Sequence, residues 1–270
     1  MEILAIVFVL LVFLAFVLFF FSIIILKLET VYAGFFDRPF YVHFYPVKKR
    51  LALSDQSFLH EHSAFYRRLD DNRKQYFEHR IARFLDNYEF IGKEGFEVTD
   101  EVRIRVAHAY IMMSFGWRNY LTKVFERIVI FPEVYESSAT GNLHKGEFNP
   151  RMKAVVFSWA DFVSGEDASN DNLNLGIHEF AHVMHFHGTR SADISALVFA
   201  KLYKECMREV MHPNNNRALR ESGYLREYAY TDQFEFLAVV LEHFFETPDE
   251  FQRRFPQLFT SISKMLNYRN

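Results

Sequence analysis

The N-terminal segment is an almost unbroken hydrophobic run, since every residue from position 3 to position 26 is apolar except Ser22. As a helix this run would be about 36 Å long, enough to cross the hydrocarbon core of a bilayer, which is about 30 Å thick. It is also longer than the apolar region of a cleaved signal peptide, about 7 to 15 residues, and no basic segment precedes it. The pattern therefore predicts one N-terminal transmembrane helix.

Beyond this run the hydrophobic periodicity changes. Residues 29–56 contain Gly34, Pro39 and Pro46 among many aromatic residues in no helical period, which is typical of a connector. Residues 57–88 and 100–113 carry apolar side chains at helical spacing, and β-branched or aromatic runs at 127–131 and 154–159 predict strands. We therefore predict an anchor at 1–28, a connector at 29–56 and one folded domain at 57–270.

Charged residues flank the apolar run asymmetrically. Glu2 is the only charged side chain before it, whereas Lys27, Arg38 and residues 48–50 supply positive charge after it. Because basic residues concentrate on the cytoplasmic side, we predict a single-pass membrane protein with its C-terminal domain in the cytoplasm. The single cysteine, Cys206, excludes an intrachain disulfide and agrees with a reducing compartment; a small buried hydrophobe is its expected role.

The amino-acid composition indicates a folded protein and argues against a nucleic-acid partner. Half of the residues are hydrophobic and 18% are aromatic, which predicts a packed core rather than disorder. Lys and Arg total 31 against 34 for Asp and Glu, giving a net charge of −3, and the chain has no basic stripe of the kind that phosphate backbones require. We therefore expect no nucleic-acid partner.

The candidate chemistry centres on the motif His178-Glu179-Phe180-Ala181-His182. On a helix this spacing places His178 and His182 on one face, one turn apart, where both imidazoles can bind the same metal ion. Glu179 lies beside the first ligand and is the natural general base for a metal-activated water. His185 is about 10.5 Å from His178 along the helix axis, too far for three imidazoles to share one metal. The third ligand must therefore come from elsewhere, and His185 is expected behind the ligands or facing the substrate.

A second candidate helix opens at Thr231-Asp232, ends before Pro248 and carries Glu235 and Glu242 on one face, opposite an apolar face. From this pattern alone, Glu235 can simply satisfy backbone N–H groups in the first turn, and Glu242 can be a solvated carboxylate. The spacing by itself favours that structural interpretation.

These segments resemble the Mlc titration factor A family of zinc peptidases, which are gluzincin-type proteins similar in site layout to the catalytic domain of anthrax lethal factor. The resemblance covers most of the chain after the anchor, and that anchor is a departure because such relatives are soluble. The motifs that carry it are Phe90-Ile91-Gly92-x2-Gly95-Phe96, Val129-Ile130-Phe131-Pro132, Val155-Val156-Phe157-Ser158-Trp159-Ala160-Asp161, Asn174-Leu175-Gly176-Ile177-His178-Glu179 and Tyr228-x6-Glu235-Phe236-x-Ala238-Val239-x2-Glu242-x-Phe244-Phe245.

The resemblance implies a complete zinc site. His178, His182 and Glu235 would bind one Zn²⁺ per chain, with Glu179 as general base and Tyr228 as hydrogen-bond donor to the developing oxyanion. Without the resemblance, Tyr228 reads as one more packed aromatic residue. Glu242 is expected either to orient a zinc ligand or to be solvated.

The implied fold is α+β and zincin-like: a mostly helical domain, preceded by the transmembrane helix, with a small sheet whose edge strand borders the HExxH helix. We expect residues 154–158 to be that edge strand and to offer main-chain hydrogen bonds to an extended peptide.

Two functions remain open. The first is a membrane-tethered, zinc-dependent peptidase that hydrolyses a peptide or protein substrate with a metal-activated water. The second is a membrane-anchored binding protein of the same fold that sequesters a transcriptional regulator, with incidental hydrolysis. Glu179 and Tyr228 favour the peptidase, because a binding protein needs neither a general base nor an oxyanion donor. A structural membrane protein with an accidental HExxH is disfavoured by Tyr228 and Glu235 at the family spacing.

Overall fold

The structure is a computed structural model that describes residues 1–137, 141–168 and 170–268. Most of the described chain is helical, with a short 3₁₀ turn at Glu227–Tyr230. The α-helices are α1 (Glu2–Phe36), α2 (Leu53–His62), α3 (Ala64–Arg68), α4 (Asp71–Asn87), α5 (Asp100–Ser114), α6 (Trp159–Asp167), α7 (Leu175–Arg190), α8 (Ile194–Val210), α9 (Pro213–Glu221), α10 (Gln233–Glu246), α11 (Pro248–Arg254) and α12 (Pro256–Met265). The predicted architecture, mostly helical with a small sheet after an apolar N-terminal helix, is confirmed.

The main sheet has four strands in the order β1 (Glu89–Gly92), β2 (Arg127–Phe131), β6 (Ala154–Ser158) and β5 (Gly146–Asn149). The first three run parallel, whereas β5 lies antiparallel to β6. A separate two-stranded sheet joins β3 (Tyr135–Glu136) to β4 (Leu143–His144). The predicted strands at 127–131 and 154–158 are thus the two central strands of the sheet.

The expectation that residues 154–158 form the edge strand was wrong. Strand β6 lies between β2 and β5, and all five of its residues are buried. A strand buried on both faces reads as a continuous apolar run, and Ala-Val-Val-Phe-Ser is such a run. The edge that borders α7 is β5, whose sequence Gly-Glu-Phe-Asn is too short and polar to be recognised from its pattern.

Helix α7, which carries the HExxH motif, is fixed by an aromatic core. Phe180 is fully buried and its ring lies 5.5 Å from that of Phe157 on β6 and 5.1 Å from that of Tyr110 on α5. Burying one phenylalanine contributes about 1.5 to 3 kcal/mol. The helix begins where the Asn174 side chain accepts a hydrogen bond from Ile177 N–H. The side of α7 opposite this packing is left for the polar residues of the motif.

Helix α10 packs against α7 and begins at the cap predicted from the sequence. The Asp232 carboxylate accepts hydrogen bonds from Phe234 N–H and Glu235 N–H, at 2.7 and 2.9 Å. Because Asp232 alone supplies this cap, the carboxylate of Glu235 in the first turn is available for other contacts.

Helix α1 is long and apolar enough, by length and composition, to cross a membrane. It continues to Phe36, well past the end of the apolar run at Leu26, so its last turns occupy the start of the predicted connector. Cys206 is buried and unbridged, as expected for a small hydrophobe.

Candidate metal centre

Two helices bring three metal-binding side chains together. His178 and His182 belong to α7, and Glu235 belongs to the first turn of α10. His178 Nε2 lies 3.0 Å from Glu235 Oε2, and His182 Nε2 lies 3.6 Å from Glu235 Oε1. One donor atom from each residue falls within 4.8 Å of the other two. These are the three residues that the sequence and the family resemblance nominate as ligands.

The donor set fits a divalent metal ion. Two imidazole nitrogens and one carboxylate oxygen are common zinc ligands, and donors that each lie 2.0 to 2.1 Å from one tetrahedral centre are roughly 3.3 Å apart. The two imidazole nitrogens lie at about this separation from the Glu235 carboxylate, His178 Nε2 at 3.0 Å from Oε2 and His182 Nε2 at 3.6 Å from Oε1. Three protein ligands also leave one coordination position for water or substrate, as in catalytic rather than structural sites. The group could therefore hold a metal ion.

Glu179 lies between the candidate ligands and the edge strand β5. Its carboxylate is buried and accepts a hydrogen bond from the backbone of Phe148. Burial raises the pKa of the Glu179 carboxyl to about 7, while the charge of His178 opposes this shift. A carboxyl group whose pKa lies near neutrality can both accept and release a proton at physiological pH.

Gly146 on β5 leaves the space that Glu179 occupies. A Cβ atom at this position would lie 2.7 Å from Glu179 Oε1 and 2.7 Å from Leu175 Cδ1. Real Cβ atoms do not approach other atoms so closely, so any larger residue would displace the carboxylate. Nothing in the spacing of the sequence distinguishes Gly146 from a loop glycine, because its neighbour Glu179 is distant along the chain.

Tyr228 lies in the 3₁₀ turn before α10 and is half-exposed. Its ring centroid is 6.0 Å from that of His178, and its hydroxyl hydrogen-bonds the Glu235 carboxylate. Burial, followed by the charge of Glu235, raises the pKa of Tyr228 to about 12. The phenol is therefore a neutral hydrogen-bond donor at physiological pH, and it faces the same cleft as Glu179.

A buried carboxylate supports His178 from behind. Glu242 is 1% exposed, and its Oε1 atom lies 2.6 Å from His178 Nδ1. Arg226 donates two hydrogen bonds to the Glu242 carboxylate, at 2.6 and 2.9 Å, and a third to the Asn172 carbonyl at 2.5 Å. Of the two interpretations open for Glu242, the solvated carboxylate does not fit this burial. Arg226 had no signal in the sequence, because only tertiary packing brings it to Glu242.

His185 lies outside the group of candidate ligands. It is buried, with ring centroids 4.7 Å from Tyr203 and 4.5 Å from Phe234. Burial lowers the pKa of His185 to about 4, and the charge of Arg190 adds to the shift. His185 is thus a neutral, packed residue between α7 and its neighbours.

A two-histidine, one-glutamate group with a buried glutamate beside it is the arrangement expected of an HExxH metallopeptidase. Comparison with protein families agrees, since the model of the family described as glucose-regulated metallo-peptidase M90 matches residues 46–267. Because the match covers most of the chain, the protein belongs to this family. The resemblance inferred from the motifs is confirmed.

Individual relatives support the same assignment at modest identity. The chain is 26% identical over 233 residues to the uncharacterized protein slr2042 of Synechocystis sp., covering 77% of this chain and 82% of the relative. It is 23% identical over 207 residues to Mlc titration factor A of Cronobacter sakazakii, covering 71% and 77%. It is 27% identical over 196 residues to Mlc titration factor A of Escherichia coli O7:K1, covering 66% and 72%.

Proposed function

We propose that this protein is a membrane-tethered, zinc-dependent peptidase. The observation that carries the proposal is the convergence of His178, His182 and Glu235, with the carboxylate of Glu179 beside them. A protein that used this group only for structure would need neither a buried carboxylate beside the candidate ligands nor a phenol facing the same cleft.

Each residue has a distinct role in the proposed reaction. A zinc ion held by His178, His182 and Glu235 would polarise water and lower its pKa toward about 7. The Glu179 carboxylate accepts the proton of the attacking water. Tyr228 donates a hydrogen bond from its hydroxyl to the oxygen of the peptide carbonyl as negative charge develops there.

The edge strand β5 is the proposed binding site for the substrate. It pairs with β6 along one side, α7 and Glu179 lie over its face, and no strand among the described residues pairs with its other side. An extended peptide added along this side would present its carbonyl groups to the candidate catalytic residues. The cleft here is lined by His144, Gly146, Glu179 and Tyr228, among others.

The proposed tether is the apolar part of α1. We divide the chain into an anchor at 1–28, a connector at 29–56 that includes the last turns of α1, and a peptidase domain at 57–270. The end of α1 contributes Glu29 and Ala33 to the buried part of the protein. If the apolar run were a signal sequence, the cleavage site would lie beside this packed turn of α1. The packing therefore favours an anchor that is retained. The charge flanks favour a domain in the cytoplasm.

A second candidate function follows from the names of the relatives. Several are called Mlc titration factor A, a name that indicates capture of another factor. The alternative is therefore a membrane-anchored protein that binds a transcriptional regulator, with slow hydrolysis. It predicts capture of the regulator by a variant that lacks Glu179.

The experiment that separates the two functions is cleavage of a peptide library by the purified full-length protein in detergent. Peptidase function predicts cleavage at defined bonds, loss of cleavage with a zinc chelator and its return when zinc is added. Intact peptides under all three conditions, with a correctly folded and zinc-loaded protein, would rule out the peptidase and leave the binding function.

A further inference from the structure

We propose that the folded domain sits directly on the membrane that α1 crosses, with an exposed aromatic patch inserted among the phospholipid headgroups. The patch lies in the connector after α1 and consists of Phe40, Tyr41, Phe44 and Val47. The inference rests on the proposed membrane anchor and adds a second, lateral contact with the same bilayer. The domain would then be held against the bilayer surface and would not move freely at the end of a flexible linker.

The distance between the apolar run and the first buried contact of α1 leaves no room for a tether. The apolar run ends at Leu26, and Glu29 already forms an ion pair with Arg118 of the folded domain. At 1.5 Å per residue, Glu29 lies about 4.5 Å beyond Leu26 along the helix axis. The headgroup layer on each side of a bilayer is about 5 to 8 Å thick. Arg118 must therefore lie within or against that layer.

Further contacts clamp α1 to the domain within the next two turns. Ala33 is 4% exposed and faces the same side of the helix as Glu29. Lys201 on α8 donates hydrogen bonds to the Gly34 carbonyl at 3.1 Å and to the Asp37 carboxylate at 2.6 Å. The C-terminal turns of α1 are thus packed against the domain, which fixes the direction in which the helix leaves it.

After α1 ends, the connector turns back toward Glu29, because Phe40 N–H donates a hydrogen bond to Glu29 Oε1 at 3.4 Å and the Phe40 ring lies 5.2 Å from that of Tyr32. Phe40 and Phe44 are 71% and 72% exposed. An exposed apolar surface of this kind marks an interaction site, and aromatic residues concentrate where a protein meets the membrane interface.

Contacts with the domain hold part of the patch in place. The Arg118 guanidinium lies 4.6 Å from the ring centroid of Tyr41, and Tyr41 contacts Phe44 at 6.3 Å. Arg118 is the same residue that pairs with Glu29 at the headgroup level. The aromatic rings that it organises therefore lie at the height of the bilayer surface, and the lipid interface is the occupant that this continuity favours over a second protein copy.

The test uses spin labels on single cysteines introduced into the full-length protein, reconstituted in phosphatidylcholine and phosphatidylglycerol nanodiscs. Phe44→Cys reports on the patch, Phe13→Cys on the anchor and Leu143→Cys, at a 75% exposed position on β4, on the water-facing surface. Wild type measures background labelling, because Cys206 is 2% exposed and burial raises its pKa to about 12. Accessibility to oxygen and to a water-soluble nickel complex is compared at each site.

The expected result is an oxygen-to-nickel accessibility ratio at position 44 severalfold above that at position 143 and closer to that at position 13. An oxygen-to-nickel accessibility ratio at position 44 equal to that at position 143, with position 13 in lipid, would rule out the contact between the patch and the bilayer. The anchor would remain supported. Low accessibility to both reagents at 44 would overturn it in favour of a protein partner. An accessibility ratio at position 13 typical of water would rule out both the anchor and the contact of the patch with the bilayer. None of these results tests peptide hydrolysis.

Discussion

Among single residues, Glu235 and His185 differ in what their side chains contact. Glu235 is within 3.0 Å of His178 and 3.6 Å of His182, whereas His185 packs between aromatic rings. Glu235→Ala should therefore weaken zinc binding by more than about 100-fold, because a ligand costs more than the 10- to 100-fold typical of its supporting residues. His185→Ala should retain most of the affinity. Competition with a chromogenic chelator measures both, and equal losses would reopen the choice of third ligand.

A second prediction at this scale concerns the support of His178. Arg226 forms an ion pair with Glu242, and Glu242 Oε1 lies 2.6 Å from His178 Nδ1, where it can orient the His178 ring. Glu242→Gln should lower zinc affinity by about 10- to 100-fold while preserving the shape of the side chain.

The matched control is Glu227→Gln, because the Glu227 side chain is 87% exposed and pairs with Arg220 instead. Isothermal titration with zinc compares the two variants. Wild-type affinity in Glu242→Gln would mean that His178 is oriented without this carboxylate.

A site residue can be predicted from the sequence when the pattern that identifies it lies within one short segment. The spacing of His178, Glu179 and His182 is a property of one helix, so the motif alone predicts that they share a face. Glu235 and Tyr228 came from the family resemblance, since the local pattern favoured a helix-capping role for Glu235 and a packed aromatic role for Tyr228. Arg226, Gly146 and the burial of Glu242 depend on contacts between distant segments, which a single sequence does not encode in any local pattern.

At the scale of elements, strand β5 lies beside Glu179, the proposed general base. Because a Cβ at Gly146 would lie 2.7 Å from Glu179 Oε1, Gly146→Ala should displace this carboxylate. We expect at least about a tenfold loss of turnover, equivalent to about 1.4 kcal/mol of transition-state stabilisation, with zinc content unchanged. Gly34→Ala is the control, since nothing lies within 4 Å of the added atom there. Wild-type turnover in Gly146→Ala would show that Glu179 does not need its observed position.

The elements themselves were predictable to different degrees. Helices α5 and α10 have apolar periodicity and clear caps at Thr99 and Asp232, and both begin where the sequence indicates. Strand β6 was recognised, but its place in the sheet was not, because neighbours in a sheet are set by tertiary packing. Strands β1 and β5 are four residues long, which is too short for a reliable alternating pattern.

At the scale of the whole molecule, the sequence predicts the orientation across the membrane. Lys27 and the basic residues at 48–50 follow the apolar run, and Glu2 precedes it, so translocation of the domain is disfavoured. A tag placed after Asn270 should resist protease in intact spheroplasts and be digested once the membrane is permeabilised. Digestion without permeabilisation would place the domain outside and direct the search for substrates to extracytoplasmic peptides.

The apolar run predicts the anchor but not its attachment to the domain. Docking of α1 depends on Glu29 meeting Arg118 and on Asp37 meeting Lys201, pairs that lie 89 and 164 positions apart in the chain. Such long-range ion pairs have no local signature. The end of α1 packs against α8, and α8 packs against α7. With α1 as the proposed anchor, these contacts would hold the candidate site on α7 at a fixed height above the bilayer.

The proposed function requires that His178, His182 and Glu235 hold a zinc ion and that Glu179 accepts a proton from water during peptide hydrolysis. The most direct measurement compares zinc content and peptide turnover in wild type and Glu179→Gln, purified in parallel. The glutamine retains the size of the side chain but cannot accept the proton of water. We predict one zinc per chain in both proteins and a loss of at least about 100-fold in turnover in the variant, which is the lower bound for a general base. Equal turnover at equal zinc content would contradict the account.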